Sequence, residues 1–373
     1  MLLLKIIAAC VTLVLLLYVL VLVGSRLRPY YDRWYLSRLD LEPEVIPNQL
    51  DDQTIAQLND HFSDGDFGKV VSFIVWQDGE KRYEYNAPNT TSDTMVRVWS
   101  VSKSVLSAAY GAAVQQGRAA PLDSPIAEHL PQYADQFKAD PRRAQISIED
   151  LFTMRSGFVW NELNSFPNDY HQFAASADWV AYMADREMDS KPGESFTYNT
   201  ANSILLGEVI GGQVGQPFEQ FVEEALFQEL GITQWKWEYG PNDVVQSGGG
   251  LHLSANDMLK IGKLYLNNGE WNGKQLVDPS WVTDSISYKT EVPGYLDYGY
   301  HWWLAPEDSE LVEALEVKDV YFASGLGGNY VYVIPHLNTI VVVAASDSNG
   351  QMERSWPALR YFVFPALTGE AQK

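Results

Sequence analysis

Apolar positions change their period along this chain, and the changes mark out its elements. Val70-Val71-Ser72-Phe73-Ile74-Val75-Trp76 is a short run rich in β-branched and aromatic residues, stopped by Asp78-Gly79 and followed by Lys81 to Tyr85. Lys69 to Asn86 therefore reads as a β-hairpin. From Val101 onward the period becomes helical: Val101, Val105, Ala108, Ala109, Ala112 and Ala113 share one face, and Gly117 supplies a stop, so a helix opens at or near Ser100. Between about 110 and 240 the signals stay mainly helical, with helices expected at Ile148–Arg155, Asp178–Arg186, Ala201–Gly211 and Phe218–Gly231. Strand patterns return near Tyr298–Leu304, Tyr321–Ala323, Asn329–Ile334 and Thr339–Ser346, with a last helix expected around Ser355–Phe364. Strands at both ends of the chain around a helical middle predict one antiparallel sheet built from N- and C-terminal portions, flanked by helices and set beside an all-helical region.

The segment ahead of these elements follows another pattern. Ile6 to Val23 is continuously apolar, with Thr12 its only clearly polar member, long enough to span a bilayer. It lacks a convincing small-x-small cleavage site, so an uncleaved anchor over residues 1–24 is the preferred reading over a signal peptide. A polar, Tyr- and Arg-rich connector over 25–50 leads to the main domain at 51–368, with a tail at 369–373. Arg26, Arg28, Arg33 and Arg38 follow the span and only Lys5 precedes it, which by charge bias would put the main domain in the cytoplasm. Cys10, the only cysteine, lies inside the span, so there is no intrachain disulfide and no cysteine nucleophile. Composition adds two exclusions. A hydrophobic content of 46% over 373 residues supports a large core, and a net charge of −22 argues against nucleic acid or an anionic membrane surface as a partner.

The chemistry concentrates at Ser100-Val101-Ser102-Lys103. Residues i and i+3 share a helix face, which brings the Lys103 amine within reach of the Ser100 oxygen. A serine hydroxyl needs a neighbouring group to take its proton, and a lysine can do so only if its pKa is lowered. The helix N-terminus favours negative charge developing beside it. Alone, the tetrad equally suits an N-cap serine with a solvated lysine one turn on.

Two other segments complete an acyl-transfer site. After the turn Pro192-Gly193-Glu194, Tyr198 stands just before a predicted helix. A phenol near the Lys103 ammonium would have its pKa lowered and could shuttle the proton between nucleophile and leaving group. In Tyr321-Phe322-Ala323-Ser324-Gly325-Leu326-Gly327-Gly328-Asn329, small residues at a strand edge let the Leu326 N–H approach a carbonyl together with the Ser100 N–H, forming an oxyanion hole. Taken singly, Tyr198 also suits a core aromatic, and the glycine cluster a hairpin turn.

The three pieces in this order resemble the serine β-lactamase-related family: class C β-lactamases, D-Ala-D-Ala carboxypeptidases, esterases that share their fold and, most closely in motif, 6-aminohexanoate-dimer hydrolases. The resemblance covers about residues 65 to 350. Further landmarks are Leu151-Phe152-Thr153-Met154-Arg155-Ser156-Gly157, Gly248-Gly249-Gly250-Leu251-His252-Leu253, and Tyr298-Gly299-Tyr300-His301-Trp302-Trp303. The resemblance implies a β-lactamase/transpeptidase-like α+β fold, catalysis by Ser100, Lys103 and Tyr198, an oxyanion hole from the Ser100 and Leu326 backbones, substrate contacts at Ser324 and Gly325, and no metal or organic cofactor. It also implies a domain outside the inner membrane, against the charge bias above, so the orientation stays open. Two departures narrow the substrate. Penicillin-recognising members carry Tyr-x-Asn where this chain has Thr200, and Lys or His where it has Ala323, so the positive charge that grips a β-lactam or peptide carboxylate is missing. The expected function is hydrolysis of a linear, small-molecule ester or amide through an acyl-enzyme on Ser100. The alternatives are a β-lactamase or D,D-carboxypeptidase, and a catalytically silent, membrane-anchored binding protein of the same fold.

Several motifs are set aside. Ser254-Ala255-Asn256 matches a Ser-x-Asn motif but reads as a helix cap, and Lys289-Thr290-Glu291 lacks the glycine of a Lys-Thr-Gly box. The six histidines show no metal spacing. Asp150, Arg155, Trp160 and Glu162 fall near the expected cleft edge and are assigned no catalytic role.

Overall fold

The nucleophile helix is wedged between a sheet and a set of helices, and both flanks follow from where the chain is apolar. The computed structural model describes residues 50, 52–163, 168–292, 296–306, 319–346 and 356–368, all within one unit, Val45–Lys373. The span expected at Ile6 to Val23, Cys10 and the tail at 369–373 lie outside the described residues. Among those described, no helix is long and apolar enough to cross a membrane.

Helix α1 (Asp52–Asp64) precedes the hairpin of β1 (Val70–Gln77) and β2 (Glu80–Asn86), whose turn is Asp78-Gly79 as expected. Then come α2 (Val101–Gln115), α3 (Thr200–Val214) and α4 (Ala255–Leu266). The remaining strands are β3 (Thr290–Val292), β4 (Leu296–Tyr298), β5 (Trp303–Leu304), β6 (Tyr321–Gly325), β7 (Asn329–Ile334) and β8 (Thr339–Ala345). They form one eight-stranded antiparallel sheet in the order β2-β1-β8-β7-β6-β5-β4-β3. The first hairpin thus joins the C-terminal strands along β1–β8, where Phe73 faces Val343 and Val75 faces Val341. Every residue of β7 and β8 is buried, because helices cover both faces of the sheet. One face (Ile74, Val331, Val333, Ile340, Val342) joins the core that contains α2 and α4. On the other, Phe62 of α1 packs on Phe73 and Tyr85, and Phe67 meets Phe362 of the C-terminal helical segment.

Helix α2 is buried nearly all round, from Val101 to Ala113, as a central helix without a solvent face must be. A small three-stranded sheet of Val96–Arg97, Leu251–Leu253 and Lys236–Trp237 stands at its N-terminal end and ties the approach to Ser100 to the Gly248-Gly249-Gly250 segment.

Some expected boundaries move. The helix expected over Ile148–Arg155 ends at Phe152, because Met154 adopts φ +58° and the chain then bonds to the strand-like segment ahead of α3 (Thr197 N to Met154 O, 2.8 Å). The strand expected over Tyr298–Leu304 is split into β4 and β5 by a turn in which His301 takes φ +63° and the Gly299 N–H donates to the Trp302 carbonyl. The last helical segment runs from Trp356 to Thr368 and includes one π-helical stretch. Helix α1 and the Pro279–Ser285 helix were not expected from the sequence pattern. Ser254 caps α4, its hydroxyl accepting from the Asp257 N–H, and Asp150 belongs to a capping box with Ser147, a structural role.

Candidate active site

Ser100 occupies the N-cap position of α2, yet its hydroxyl makes no capping bond. The turn into the helix is held without it: the Ser102 hydroxyl donates to the Trp99 carbonyl at 2.5 Å and accepts from the Leu251 N–H at 3.2 Å. Trp99 itself sits at φ +51°, a conformation an aromatic residue rarely takes, and the Arg97 guanidinium lies 3.6 Å from its ring centre. The turn leaves Ser100 half-buried, with its hydroxyl making no capping bond.

Lys103, one turn on, is not solvated. It is 2% exposed, and its ammonium donates three hydrogen bonds: to Ser100 Oγ (3.0 Å), Thr200 Oγ1 (3.1 Å) and the Gly248 carbonyl (2.6 Å). Three donors meet three acceptors, so the geometry is that of the protonated group. Burial pulls its pKa down to about 8, with the Glu162 carboxylate pulling the other way. At pH 7 about one molecule in ten therefore carries the neutral amine. Gly248 has no room for a side chain, since a Cβ there would lie 2.8 Å from Thr200 O and Cγ2, and the close approach delivers its carbonyl to Lys103.

Tyr198 also joins the group, with a different electrostatic character from the one expected. Its hydroxyl interacts with Ser100, and the Lys103 ammonium lies over its ring, 4.9 Å from the centre. Burial first, and then the Glu162 charge, push the phenol above its usual range, the Ser100 bond being the smaller opposing effect. The expectation of a lowered phenol pKa is corrected: Tyr198 is a neutral phenol at working pH. Its ring is held between Lys103 and Trp303, stacked on the latter at 5.9 Å.

The third piece arrives from the sheet. A Cβ on Gly325 would stand 2.2 Å from the Val98 carbonyl and 3.3 Å from Ser100 N, so only glycine lets the end of β6 close on the nucleophile turn. Leu326 follows in the β6–β7 turn, with Gly327 and Gly328 at φ +81° and +90°. Asn329 Nδ2 donates to the Leu326 carbonyl at 3.0 Å while its Oδ1 accepts from Ala345 N, which anchors the turn to β8. Ala323 is buried, and Arg97 is paired with Glu238 at 2.9 Å. Ser324 is half-buried, opposite Tyr330; among the described residues no hydrogen bond joins its side chain to Ser100, Lys103 or Tyr198.

Sequence reasoning gave no role at the site to three contributors. Thr200 was noted only as a departure, yet it bonds Lys103; Asn329 anchors the turn; and Glu162 accepts from Thr200 Oγ1 (2.6 Å), Thr200 N (2.7 Å) and Trp160 Nε1 (3.0 Å). Asn329, inside the strand-edge box, could have been flagged as a turn residue. Glu162 and Thr200 lie too far apart in sequence for any spacing rule. Among the described residues no group of three or more His, Cys, Asp or Glu is placed to hold a metal.

Comparison with known proteins bears on this geometry. The family model described as Beta-lactamase matches residues 58–362. A curated 6-aminohexanoate-dimer hydrolase of Paenarthrobacter ureafaciens is 21% identical over 304 residues, 74% of this chain and 72% of that protein. The solved structure of EstCE1, described as a hydrolase with promiscuous acyltransferase activity, superposes with a TM-score of 0.68 at 17% identity, covering 84% of this chain and 99% of the other. A class C beta lactamase from Rhodobacter sphaeroides gives 0.62 at 16% identity, covering 84% and 98%. At these identities the two structures speak for the fold.

Proposed function

The chain belongs to the beta-lactamase family, whose fold it carries, and on that premise we propose that it hydrolyses linear esters or amides through an acyl-enzyme on Ser100. The observation that carries the reading is the buried Lys103 with its nitrogen 3.0 Å from a serine oxygen that no backbone group occupies. In the neutral-amine fraction Lys103 takes the Ser100 proton as the oxygen attacks the carbonyl carbon. The Ser100 and Leu326 N–H groups receive the negative charge on the former carbonyl oxygen. Collapse of the tetrahedral intermediate expels the leaving group, which takes a proton from neutral Tyr198, and the Lys103 ammonium restores it. Water then repeats the sequence on the acyl-enzyme. A phenol held above its usual pKa suits donation and not abstraction, which divides the roles between Lys103 as base and Tyr198 as acid.

That division predicts a leaving-group dependence. Tyr198→Phe should lower kcat on alkyl esters by about 10²- to 10⁴-fold and lose far less on p-nitrophenyl esters, whose leaving group departs unprotonated. Equal losses on both series would remove Tyr198 from the acid role.

The preference for linear substrates rests on Ala323, which leaves the head of the strand-edge box without a cation for a ring carboxylate, and on the likeness to a 6-aminohexanoate-dimer hydrolase. Rates on short acyl esters, linear amides and nitrocefin, measured side by side, test it. The expected order puts esters or amides first, and a kcat/KM for nitrocefin well above both would reverse the assignment. Attachment to a membrane through Ile6 to Val23 is part of the same proposal, and fractionation of the full-length protein with membranes checks it.

A further inference from the structure

We propose that Glu162, acting through the Thr200 hydroxyl, is a positioning residue that holds Lys103 as an ammonium between turnovers and so sets the pH range of the site. The inference rests on the reading of Ser100, Lys103 and Tyr198 as the reacting group. Thr200 Oγ1 has a single proton, and at 2.6 Å it is donated to Glu162 Oε1. The hydroxyl lone pairs are thereby turned to Lys103 Nζ at 3.1 Å, where they accept from an ammonium. The relay has one polarity: Lys103 donates to Thr200, and Thr200 donates to Glu162.

Both Glu162 oxygens are occupied by donors: Oε1 accepts from the Thr200 hydroxyl, and Oε2 accepts from the Thr200 N–H and the Trp160 indole N–H. Among the described residues no Lys or Arg lies in ion-pair contact with it, so its charge is balanced through Thr200 by Lys103. The other groups around the ammonium do not supply that balance. Tyr198, over which the ammonium sits, is neutral, and His301 behind Lys103 is kept neutral by burial and by the Lys103 charge. Near Glu162, Tyr170 has its pKa raised by burial and is bonded to Gln246, while Arg97 and Glu238 pair with each other. Among the described residues Glu162 is therefore the anion that works against the burial lowering Lys103.

The test reads Lys103 directly. In protein labelled with ¹³C at lysine Cε, the Lys103 signal is assigned by its loss in Lys103→Arg and followed against pH in wild type, Glu162→Gln, Glu162→Asp and Thr200→Val. The expected result is a midpoint about one pH unit lower in Glu162→Gln, a tenfold loss of proton affinity. Thr200→Val should move it the same way by less, and Glu162→Asp should restore most of the wild-type value. The acid limb of kcat/KM should move with it. A role confined to capping the start of α3 would lower the thermal midpoint and leave the Lys103 titration in place, and that result overturns the proposal. Should Glu162→Gln not fold, a Thr200→Val midpoint equal to wild type overturns it instead. A wild-type protein inert to esters would defeat the hydrolase reading, yet the titration would still report whether Glu162 governs Lys103.

Discussion

Replacing Ser100 by alanine should leave a folded protein whose kcat on ester substrates is lower by on the order of 10⁵-fold. The size of the loss follows from the site. Ser100 Oγ lies 3.0 Å from the Lys103 nitrogen and interacts with Tyr198, so its removal takes away the group on which the proposed base acts. The backbone is spared, because the turn is held by Ser102 and the Ser100 hydroxyl makes no capping bond. Stability should therefore change by no more than about 1 kcal/mol, the value of an ordinary hydrogen bond. Rates on p-nitrophenyl esters together with a thermal melt separate the two effects, and a variant that keeps even a tenth of the wild-type rate would exclude Ser100 as nucleophile.

Second in size is Lys103. Lys103→Met fills the same buried space without a proton acceptor and should cost about 10³- to 10⁴-fold in kcat/KM, toward the upper part of the range for general-base removal. Its signature lies in the pH profile. In wild type the active form is the neutral amine, and burial has brought the lysine down to about 8. The sign follows directly: below that value the base is protonated and kcat/KM rises tenfold per pH unit, and above it the curve levels off. Lys103→Met should lose that limb altogether. A wild-type profile flat from pH 6 to 9, or a limb that survives in Lys103→Met, would assign the base to another group.

The fold was legible where a pattern is local. The β1–β2 hairpin, β7 and β8 announce themselves as β-branched runs between turns, and Ser100 with Lys103 needs only the helical period to be brought together. Boundaries failed where one residue took an unusual backbone conformation: Met154 ends a helix and His301 splits a strand, both at positive φ and neither a glycine. Tyr198 lies ahead of its helix as expected, but its phenol is pushed up and not down, because burial and the Glu162 charge outweigh its neighbours, and neither is visible in the sequence. Glu162 could be placed near the cleft edge but not given a role. Its meaning comes from Thr200, which lies beyond several turns of chain, and from burial that makes a single carboxylate matter to a lysine.

The central claim is that Ser100 is a nucleophile, and one measurement meets it most directly: intact mass followed by peptide mapping after treatment with a fluorophosphonate at pH 8. The account predicts one adduct per chain, on Ser100, and none on Ser100→Ala treated in the same way. A folded wild-type protein that takes up no label, or an adduct that persists in Ser100→Ala, would contradict it.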